Sequence, residues 1–410
     1  MAEALPVTQV RKRRVFYISG FDPRGVAAYH RLFAEESRKQ AGWHGLTVEV
    51  GERRRADALS SVWRAGRPEA EGAAETTFEF LHWDDIVRER WQPGYRGLYR
   101  LALRVYWNGI FTTGLLARVF RVSKWPAVTG LAPALGLFGM PVLAVLAAWA
   151  TFAVAETVFA QQAWAAPAAA AAAFALVAGA GLWLERAFAL GWLLRTYAFV
   201  LDYGLGRMPE LDARLDLFAQ RIARYVEMAD DDEIVVVGHS VGANLAVSVL
   251  ARAAAINPDL WRRYRPVGLL TLGGTVPMLG LMPTAGTFRD ELSLLAASRE
   301  LHWVDMSAFE DAASFPLVNP LAASGITTVG DAGERPRVLS AEFRARLTSR
   351  TYYRAVWNLF RMHFQYLMAS ELELPDDYLA ITTGKRVFRE RFGGDPGAGP
   401  DDDDREGRKA

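Results

Sequence analysis

The chain alternates between short apolar runs rich in β-branched and aromatic residues and longer segments in which apolar residues recur with helical spacing. The short runs predict buried strands at 15–18, 46–50, 77–83, 234–237, 267–272 and 301–306. Helical spacing occupies 25–40, 211–228 and 243–255. Because strands that alternate with helices build a parallel sheet covered on both faces, the pattern predicts an α/β fold with a mostly parallel sheet.

A second pattern interrupts this alternation in the middle of the chain. Between Trp125 and Leu184 the only charged residue is Glu156, and no histidine occurs. A helix of roughly 20 apolar residues crosses a bilayer core about 30 Å thick. The sequence therefore predicts a transmembrane helical hairpin with spans at about 131–155 and 165–184. A very apolar, buried helix pair within a large soluble domain is the alternative.

The segments that flank the predicted hairpin mix aromatic and basic residues. Aromatic residues are interspersed with arginine over 98–122, and 187–200 has the same character. This mixture is typical of helices at a membrane interface, and the alternative is amphipathic helices packed on the soluble domain. Arginine occurs on both flanks but not in the connecting turn, so the positive-inside rule predicts that both flanks face the cytoplasm. The basic residues at 11–14 precede only a short apolar run, so no cleavable signal peptide is expected.

Composition and charge narrow the possible functions. The 410-residue chain has 47 Lys plus Arg against 46 Asp plus Glu, which is a formal net charge of +1. This balance argues against a general nucleic-acid binder, which carries a concentrated basic excess. The chain has no cysteine and six scattered histidines, and it lacks a phosphate-binding loop, so neither a metal nor a cofactor is predicted. The Gly-, Pro- and Asp-rich end over 393–410 predicts a disordered acidic tail.

The pentapeptide Gly238-His239-Ser240-Val241-Gly242 directly joins a predicted strand to a predicted helix. A sharp turn at this point would strain Ser240, and the two glycines would allow the strand and the helix to approach closely. The hydroxyl would lie at the helix N-terminus, where the helix dipole and backbone N–H groups favour developing negative charge. In this context the pentapeptide resembles the nucleophile elbow of the α/β-hydrolase superfamily.

The resemblance covers roughly 14–83 and 211–374. It implies one α/β-hydrolase domain in two parts, 1–97 and 205–392. The membrane-associated insertion, 98–204, separates the two parts. It also implies a lipase- or esterase-like serine hydrolase in which the serine of the pentapeptide is the nucleophile.

In the superfamily the order along the chain is serine, acid, histidine, and this order selects the partners of Ser240. His302 begins a predicted strand before any candidate acid, so His363 is the predicted base. The resemblance places the acid in the loop after the strand at 301–306, which favours Asp311. The alternatives for the acid are Asp305 and Glu310.

The resemblance also implies an oxyanion hole built from two backbone N–H groups. These belong to Val241, which follows the nucleophile, and to the loop after the first strand, where Phe21 is the best candidate. In the same loop Arg24 is a candidate contact for an anionic substrate group, and a turn brace between Asp22 and Arg24 is the alternative. His239 is interpreted as a residue that lines or packs the site, because its side chain points away from the nucleophile.

These observations together predict a membrane-anchored serine hydrolase, located in the inner or plasma membrane with its catalytic domain facing the cytoplasm. The expected partners are the lipid bilayer and an ester-type substrate, for which a lipid or acylated molecule is the natural hypothesis. The expected reaction proceeds through an acyl-enzyme. Two alternatives remain from the sequence: a non-catalytic membrane adaptor on a hydrolase scaffold, and an acyltransferase.

Overall fold

The computed structural model describes residues 9–44, 47–66, 74–91, 94–327, 335–372 and 377–393. The predicted acidic tail lies outside the described residues after Gly393. The strands are β1 Lys12–Ile18, β2 Glu49–Val50, β3 Arg54–Arg55, β4 Ser60–Gly66, β5 Glu75–Leu81, β6 Glu233–His239, β7 Val267–Leu272, β8 His302–Ser307 and β9 Arg337–Ser340.

Helices account for most of the remaining described residues. The α-helices are α1 Val26–His44, α2 Asp84–Glu89, α3 Gly94–Trp107, α4 Leu115–Val122, α5 Lys124–Ala134, α6 Met140–Val158, α7 Ala165–Ala187, α8 Leu190–Gly204, α9 Pro209–Met228, α10 Val241–Ile256, α11 Leu260–Arg263, α12 Val276–Gly280, α13 Gly286–Ala297, α14 Pro320–Ala323, α15 Phe343–Arg346, α16 Ser349–Ala355, α17 Leu359–Phe364, α18 Tyr378–Thr383 and α19 Phe388–Phe392. Two π-helical turns, Asn108–Thr112 and Leu135–Gly139, and a 3-10 turn, Gln365–Leu367, also occur.

One mixed sheet contains all of these strands, in the order β2-β4-β5-β1-β6-β7-β8-β9, with β3 also paired to β4. Strands β5, β1, β6, β7, β8 and β9 are parallel, whereas β4 runs antiparallel to β5, and β2 and β3 run antiparallel to β4. The predicted α/β fold with a mostly parallel sheet is therefore confirmed. Since β1 and β6 are parallel neighbours, the loops that follow them meet at the same edge of the sheet.

Side chains alternate between the two faces of the sheet and build two separate cores. Phe16 and Val236 point into one core, which includes residues of α9, α10 and α13. Val15 and Val235 point into the other, which includes residues of α1, α17 and α18. Helices thus cover both faces, and this explains why the central strands read as nearly continuous apolar runs.

The predicted elements agree with the structure in the centre of the sheet and disagree at its edges. The predicted strand at 46–50 contains only the short edge strand β2, and β3, β4 and β9 were not predicted. β4 has the side chain of Arg64 exposed, and β9 has only four residues, all partly buried. Edge strands of this kind lack the fully buried apolar run that marks a central strand.

The segment between α3 and α8 contains two long apolar helices. The first runs continuously through α5, the π-helical turn Leu135–Gly139 and α6, from Lys124 to Val158, and the second is α7. Their most apolar windows have mean hydropathies of 2.1 and 1.8, and only 17% and 11% of those windows is buried. Both helices are long and apolar enough to cross a membrane, and they include the ranges predicted as spans.

The helices on either side of this pair belong partly to the main body of the protein. Leu115 and Val119 of α4 and Phe199 of α8 are buried in the same core as Phe16 of β1. The sequence offered two interpretations of these flanks: α4 and α8 pack on the α/β domain, whereas the buried residues of α3 pack against α8 in a separate cluster. The opposite side of α3 and α4 remains apolar and exposed, as at Phe120.

Candidate active site

A single residue, Ser240, joins β6 to α10. Its backbone dihedral angles are φ 58° and ψ −126°, and its side chain is 2% exposed. A positive φ is uncommon for a residue other than glycine, and such strain persists only where the surrounding structure imposes it. Strained residues of this kind cluster at functional sites, so the turn is the first candidate for chemistry.

The two glycines of the pentapeptide make this turn possible. A Cβ atom at Gly242 would lie 2.1 Å from the carbonyl oxygen of Ile18, and one at Gly238 would lie 2.5 Å from the carbonyl oxygen of Gly242. Both distances are far below van der Waals contact, so only glycine fits at either position. The glycines thus allow β1, β6 and α10 to approach one another at the point where Ser240 is presented.

His363 of α17 and Asp311 form a buried pair. The ring atom Nδ1 lies 3.0 and 2.9 Å from the two carboxylate oxygens, and the side chains are 1% and 0% exposed. Nδ1 therefore carries the proton that it donates to the carboxylate, and Nε2 is left as an acceptor. Nε2 is buried and has no hydrogen-bond partner among the described residues.

Two further groups hold the Asp311 carboxylate in place. The hydroxyl of Tyr366 donates to Oδ2 at 3.1 Å, and the backbone N–H of Ala313 donates to Oδ1 at 3.0 Å. With the ring of His363, three donors converge on one buried carboxylate. A carboxylate with this many donors is fixed in position and can orient the imidazole ring.

The two other candidate acids do not contact His363. Asp305 of β8 accepts a hydrogen bond from the hydroxyl of Thr271, and burial raises its pKa to about 7. Glu310 interacts instead with the side chain of Tyr352. Of the three candidate acids, Asp311 is therefore the one that forms a hydrogen bond with His363, and Asp305 and Glu310 do not.

The pKa of Asp305 predicts how the stability of the protein depends on pH. An aspartate has an ordinary pKa near 3.8, so between pH 4 and pH 7 the unfolded chain loses a proton that the folded protein keeps. The contribution of Asp305 to the free energy of unfolding therefore falls as the pH rises through this window. Asp305→Asn is expected to remove this fall and to raise the thermal midpoint above that of the wild type at pH 8. Thermal unfolding of the wild type and the variant at pH 5 and pH 8 tests this expectation. An unchanged pH dependence of the thermal midpoint in the variant would contradict it.

His302, the other histidine that follows Ser240, lies at the start of β8. Its ring packs against Phe388, with the centroids 5.7 Å apart. Burial, together with nearby arginines, lowers its pKa to about 4. The ring makes no hydrogen bond to any of the candidate acids among the described residues, which agrees with the choice of His363.

Two backbone N–H groups next to Ser240 lack an acceptor among the described residues, those of Phe21 and Val241. Val241 is the first residue of α10, and Phe21 is adjacent to Gly20, where a Cβ atom would lie 2.9 Å from the Cβ of Ser240. Unpaired N–H groups at the start of a helix can bind a negatively charged oxygen. The two predicted oxyanion donors thus lie near the serine, and neither N–H group donates a hydrogen bond to an acceptor among the described residues.

Arg24 and Asp22 form the turn brace that was the alternative to a contact between Arg24 and an anionic substrate group. The Nε atom of Arg24 lies 2.9 Å from each oxygen of Asp22, and Nη2 lies 2.6 Å from Oδ2. The guanidinium also lies over the rings of Phe360 and Phe364, at 4.8 and 4.9 Å. The carboxylate of Asp22 therefore occupies the edge of Arg24 with which an anionic substrate group would pair.

His239 forms a hydrogen bond with the backbone of His363. Its Nε2–H donates to the carbonyl oxygen of His363 at 2.9 Å, and the two ring centroids are 4.9 Å apart. Burial, with the nearby ring of His363, lowers the pKa of His239 to about 3. The ring is therefore neutral at physiological pH and acts as a packing group.

Sequence reasoning missed the contribution of Trp192, which lies in the segment 187–200 that was interpreted as a helix either at a membrane interface or packed on the soluble domain. Its indole N–H donates to the carbonyl oxygen of Phe21 at 2.9 Å, and its ring centroid lies 5.4 Å from that of His363. This side chain of α8 therefore connects the loop after β1 with the histidine. No local motif marks such a contact, because the two hydrogen-bonded residues are 171 positions apart.

The arrangement contains the parts of a nucleophilic site. A strained serine, a histidine with a free Nε2 and an oriented Nδ1, and two uncommitted N–H groups lie at one edge of the sheet. Ser240 and His363 are almost fully buried, so a substrate reaches them only when the covering side chains move.

The described residues include no group of three or more His, Asp or Glu side chains placed to hold a metal ion. No family model, no curated protein and no solved structure matches the chain.

Proposed function

We propose that the protein is a membrane-anchored serine hydrolase of the α/β-hydrolase type that cleaves an ester bond. The observation that carries the proposal is the buried pair of His363 and Asp311, which leaves Nε2 unpaired on a residue whose carbonyl oxygen is bound by His239, the neighbour of the positive-φ Ser240. His239 and His302 also have one buried ring nitrogen without a partner, but only His363 has its other ring nitrogen oriented by a buried carboxylate among the described residues. An unpaired Nε2 at this position is available to accept the proton of a nucleophile, as a general base must be.

In the proposed reaction, Nε2 of His363 takes the proton of the Ser240 hydroxyl as Oγ attacks the carbonyl carbon of the ester. The N–H groups of Phe21 and Val241 bind the oxyanion. His363 then gives the proton to the leaving alcohol, and an acyl-enzyme remains. Water attacks the acyl-enzyme by the same route and releases the acid. Asp311 keeps the ring in the required tautomer throughout.

Labelling of the membrane fraction with a fluorophosphonate probe tests this proposal. The wild type is expected to be labelled, and Ser240→Ala and His363→Ala are expected to abolish labelling while the proteins remain folded. Ser60→Ala is a matched control, because the Ser60 hydroxyl is also buried and has no hydrogen-bond partner among the described residues. A folded wild type that resists both this probe and smaller ones would refute the serine chemistry.

The anchor is part of the same proposal: the helices Lys124–Val158 and Ala165–Ala187 cross the bilayer with both flanks in the cytoplasm. Large apolar side chains such as Leu146, Trp149 and Trp183 are exposed along them, which water disfavours and lipid tolerates. Basic residues flank the pair and are missing from its turn, in agreement with the positive-inside rule.

Because the chain has no cysteine, single introduced cysteines report the orientation directly. Gln161→Cys, in the turn of the hairpin, is expected to react with a membrane-impermeant maleimide in intact cells. Met228→Cys, exposed at the end of α9, is expected to react only after lysis. Reaction of both cysteines, or of neither, in intact cells would contradict the proposed orientation.

Trp192 is expected to act as a positioning residue in this reaction. Trp192→Phe keeps an aromatic ring against His363 but removes the N–H that holds the Phe21 carbonyl, so the oxyanion donor loses its alignment. We expect kcat to fall about tenfold with little change in KM, which corresponds to the loss of one well-placed hydrogen bond. Steady-state hydrolysis of a short ester measures this split.

Trp261→Phe provides the matched control for this experiment. Its indole N–H is buried without a hydrogen-bond partner among the described residues, so the substitution removes a similar volume and no hydrogen bond. An equal fall of kcat in both variants would show that Trp192 contributes only packing.

A further inference from the structure

A surface groove of about 340 Å³ lies between α1 and α17, next to the loop that follows β1. α1 forms one wall, α17 with the preceding Asn358 forms the other, and Arg24 of the loop also lines the groove. Ser240, His363 and Asp311 are not among the residues that line it, so the groove is distinct from the candidate active site. We propose that it binds the phosphate group of an organic phosphate ester.

Arg361 of α17 provides the first observation for this proposal. Its Nε atom is buried, and its guanidinium forms no hydrogen bond or ion pair among the described residues. Glu371, which interacts with Arg361 electrostatically, already accepts hydrogen bonds from Thr348 and Thr351. Burial of a charged group is costly unless the group is paired. An anion in the groove would give Arg361 the partner that it lacks.

A second cation without a partner lies on the opposite wall. Arg31 of α1 is exposed, lines the groove and forms no hydrogen bond or ion pair within the described part of the chain. Asn358 adds a donor, because its Oδ1 accepts the N–H of Arg361 at 2.8 Å while its NH₂ group has no partner among the described residues. Guanidinium groups with free N–H donors bind the oxygens of a phosphate in pairs.

The charges that line the groove favour an anion. One carboxylate, that of Glu35, is among the described residues of the lining. Glu35 lies four residues after Arg31 on α1, but the two side chains do not form an ion pair. Arg24 contributes little net charge, since Asp22 is paired with its guanidinium. The unpaired cations on the two walls therefore outnumber the one carboxylate.

The remaining lining is apolar and suits the organic part of an ester. The rings of Phe360 and Phe364 are stacked with their centroids 4.5 Å apart, and the guanidinium of Arg24 lies over both. Leu32 and Met368 continue this apolar surface. Inorganic phosphate would leave these side chains in contact with water, whereas an ester covers them. The groove therefore favours an organic phosphate over the free ion.

The position of the groove indicates where such an ester would come from. Phe360 packs against the same apolar cluster as Ala132 of the first apolar helix and Phe188, which directly follows α7. In the proposed orientation this end of the helix pair meets the cytoplasmic leaflet, which contains anionic phospholipids. A lipid headgroup is thus one source of the phosphate, and a soluble ester is the other. The phosphate chemistry itself depends neither on the anchor nor on the proposed hydrolysis.

The two elements beside the groove also carry parts of the candidate active site. α17 contains His363, and the loop with Arg24 contains Phe21. The ring of Phe364 lies 5.0 Å from that of His239, which donates to the carbonyl oxygen of His363. A bound phosphate ester would therefore link the elements that supply the proposed base and one oxyanion donor.

Calorimetric titration of the full chain in a nonionic detergent tests the inference. The probes are inorganic phosphate, glycerol 3-phosphate and dioctanoyl phosphatidic acid, with dioctanoyl phosphatidylcholine as the control for partition into micelles. At least one of the first two esters is expected to bind more tightly than inorganic phosphate. Tighter binding of phosphatidic acid than of glycerol 3-phosphate would identify a lipid headgroup as the source, and the reverse order or equal binding would identify a soluble ester. Failure of both esters to bind at millimolar concentration would overturn the inference, as would equal binding of inorganic phosphate.

Substitutions show whether binding occurs in this groove. Arg31→Gln and Arg361→Gln each remove a cation and are expected to raise Kd about tenfold or more. Arg31 is exposed, so its replacement leaves the core intact. Glu35→Gln removes the carboxylate and is expected to lower Kd about twofold or more. Arg354→Gln is the matched control, since Arg354 is exposed on α16, has no hydrogen bond or ion pair among the described residues and does not line the groove. Binding that is unaffected by Arg31→Gln and Arg361→Gln, or that Arg354→Gln weakens equally, would refute the site.

Discussion

Asp311→Asn is expected to lower kcat for ester hydrolysis by about 10⁴-fold, with KM little changed. The asparagine amide cannot accept the Nδ1–H of His363 as a carboxylate does, and its NH₂ group favours the opposite tautomer of the ring. Nε2 would then carry the proton, and Ser240 would have no base. The hydroxyl of Tyr366 can still donate to the amide oxygen, so the fold around the site is expected to survive. Steady-state hydrolysis of a soluble short-chain ester measures the loss.

Two matched variants decide whether this effect belongs to Asp311 alone. Asp305→Asn and Glu310→Gln also neutralise carboxylates close in the sequence, but neither side chain contacts His363. Both are expected to keep kcat within about twofold of the wild type. A large loss in either of them, with Asp311→Asn nearly unaffected, would assign the acid to another position.

Gly242→Ala is expected to lower the free energy of unfolding by about 3 kcal/mol or more, or to prevent folding altogether. The added Cβ would lie 2.1 Å from the carbonyl oxygen of Ile18 and 2.6 Å from that of Ser19. Relief requires α10 to move away from β1, and neither is flexible because both are buried in the centre of the fold. Denaturant or thermal unfolding of the purified chain in detergent measures the loss.

Gly42→Ala is the control for the effect of adding a methyl group to a helical glycine. Gly42 lies exposed in the last turns of α1, and a Cβ atom there meets no heavy atom within 4 Å. Its replacement is expected to be neutral or to stabilise by up to about 1 kcal/mol. If Gly242→Ala unfolded like the wild type, the close approach of β1 and α10 would not be what demands glycine at this position.

The central strands and helices could be predicted from the sequence because their signals are local. The run at 234–237 is apolar on both sides of the strand, as expected in the middle of a parallel sheet, and β6 forms there. β4 was missed for the opposite reason: it pairs antiparallel near the edge and carries the exposed Arg64, so its pattern is weak. Edge strands depend on a neighbour for their stability more than on their own composition.

The flanks of the apolar helix pair show a second limit of local pattern. Their aromatic and basic residues are compatible both with a bilayer surface and with packing on a protein. In the structure, Phe199 is buried in the main core while Trp107 and Phe111 remain exposed. Hydrophobicity indicates that a side chain avoids water, but it does not specify whether protein or lipid replaces the water.

The sequence alone determined the turn at Ser240, since a strand, two glycines and a helix within some twenty residues leave the backbone few alternatives. It also located the two apolar helices, because their signal is a simple absence of charge. Only the tertiary structure decided which acid meets His363, since Asp311 lies 52 positions away and competes with neighbours of identical chemistry. The same holds for Trp192 and Phe21, because a contact between distant segments depends on how whole elements pack, which no short window of sequence records.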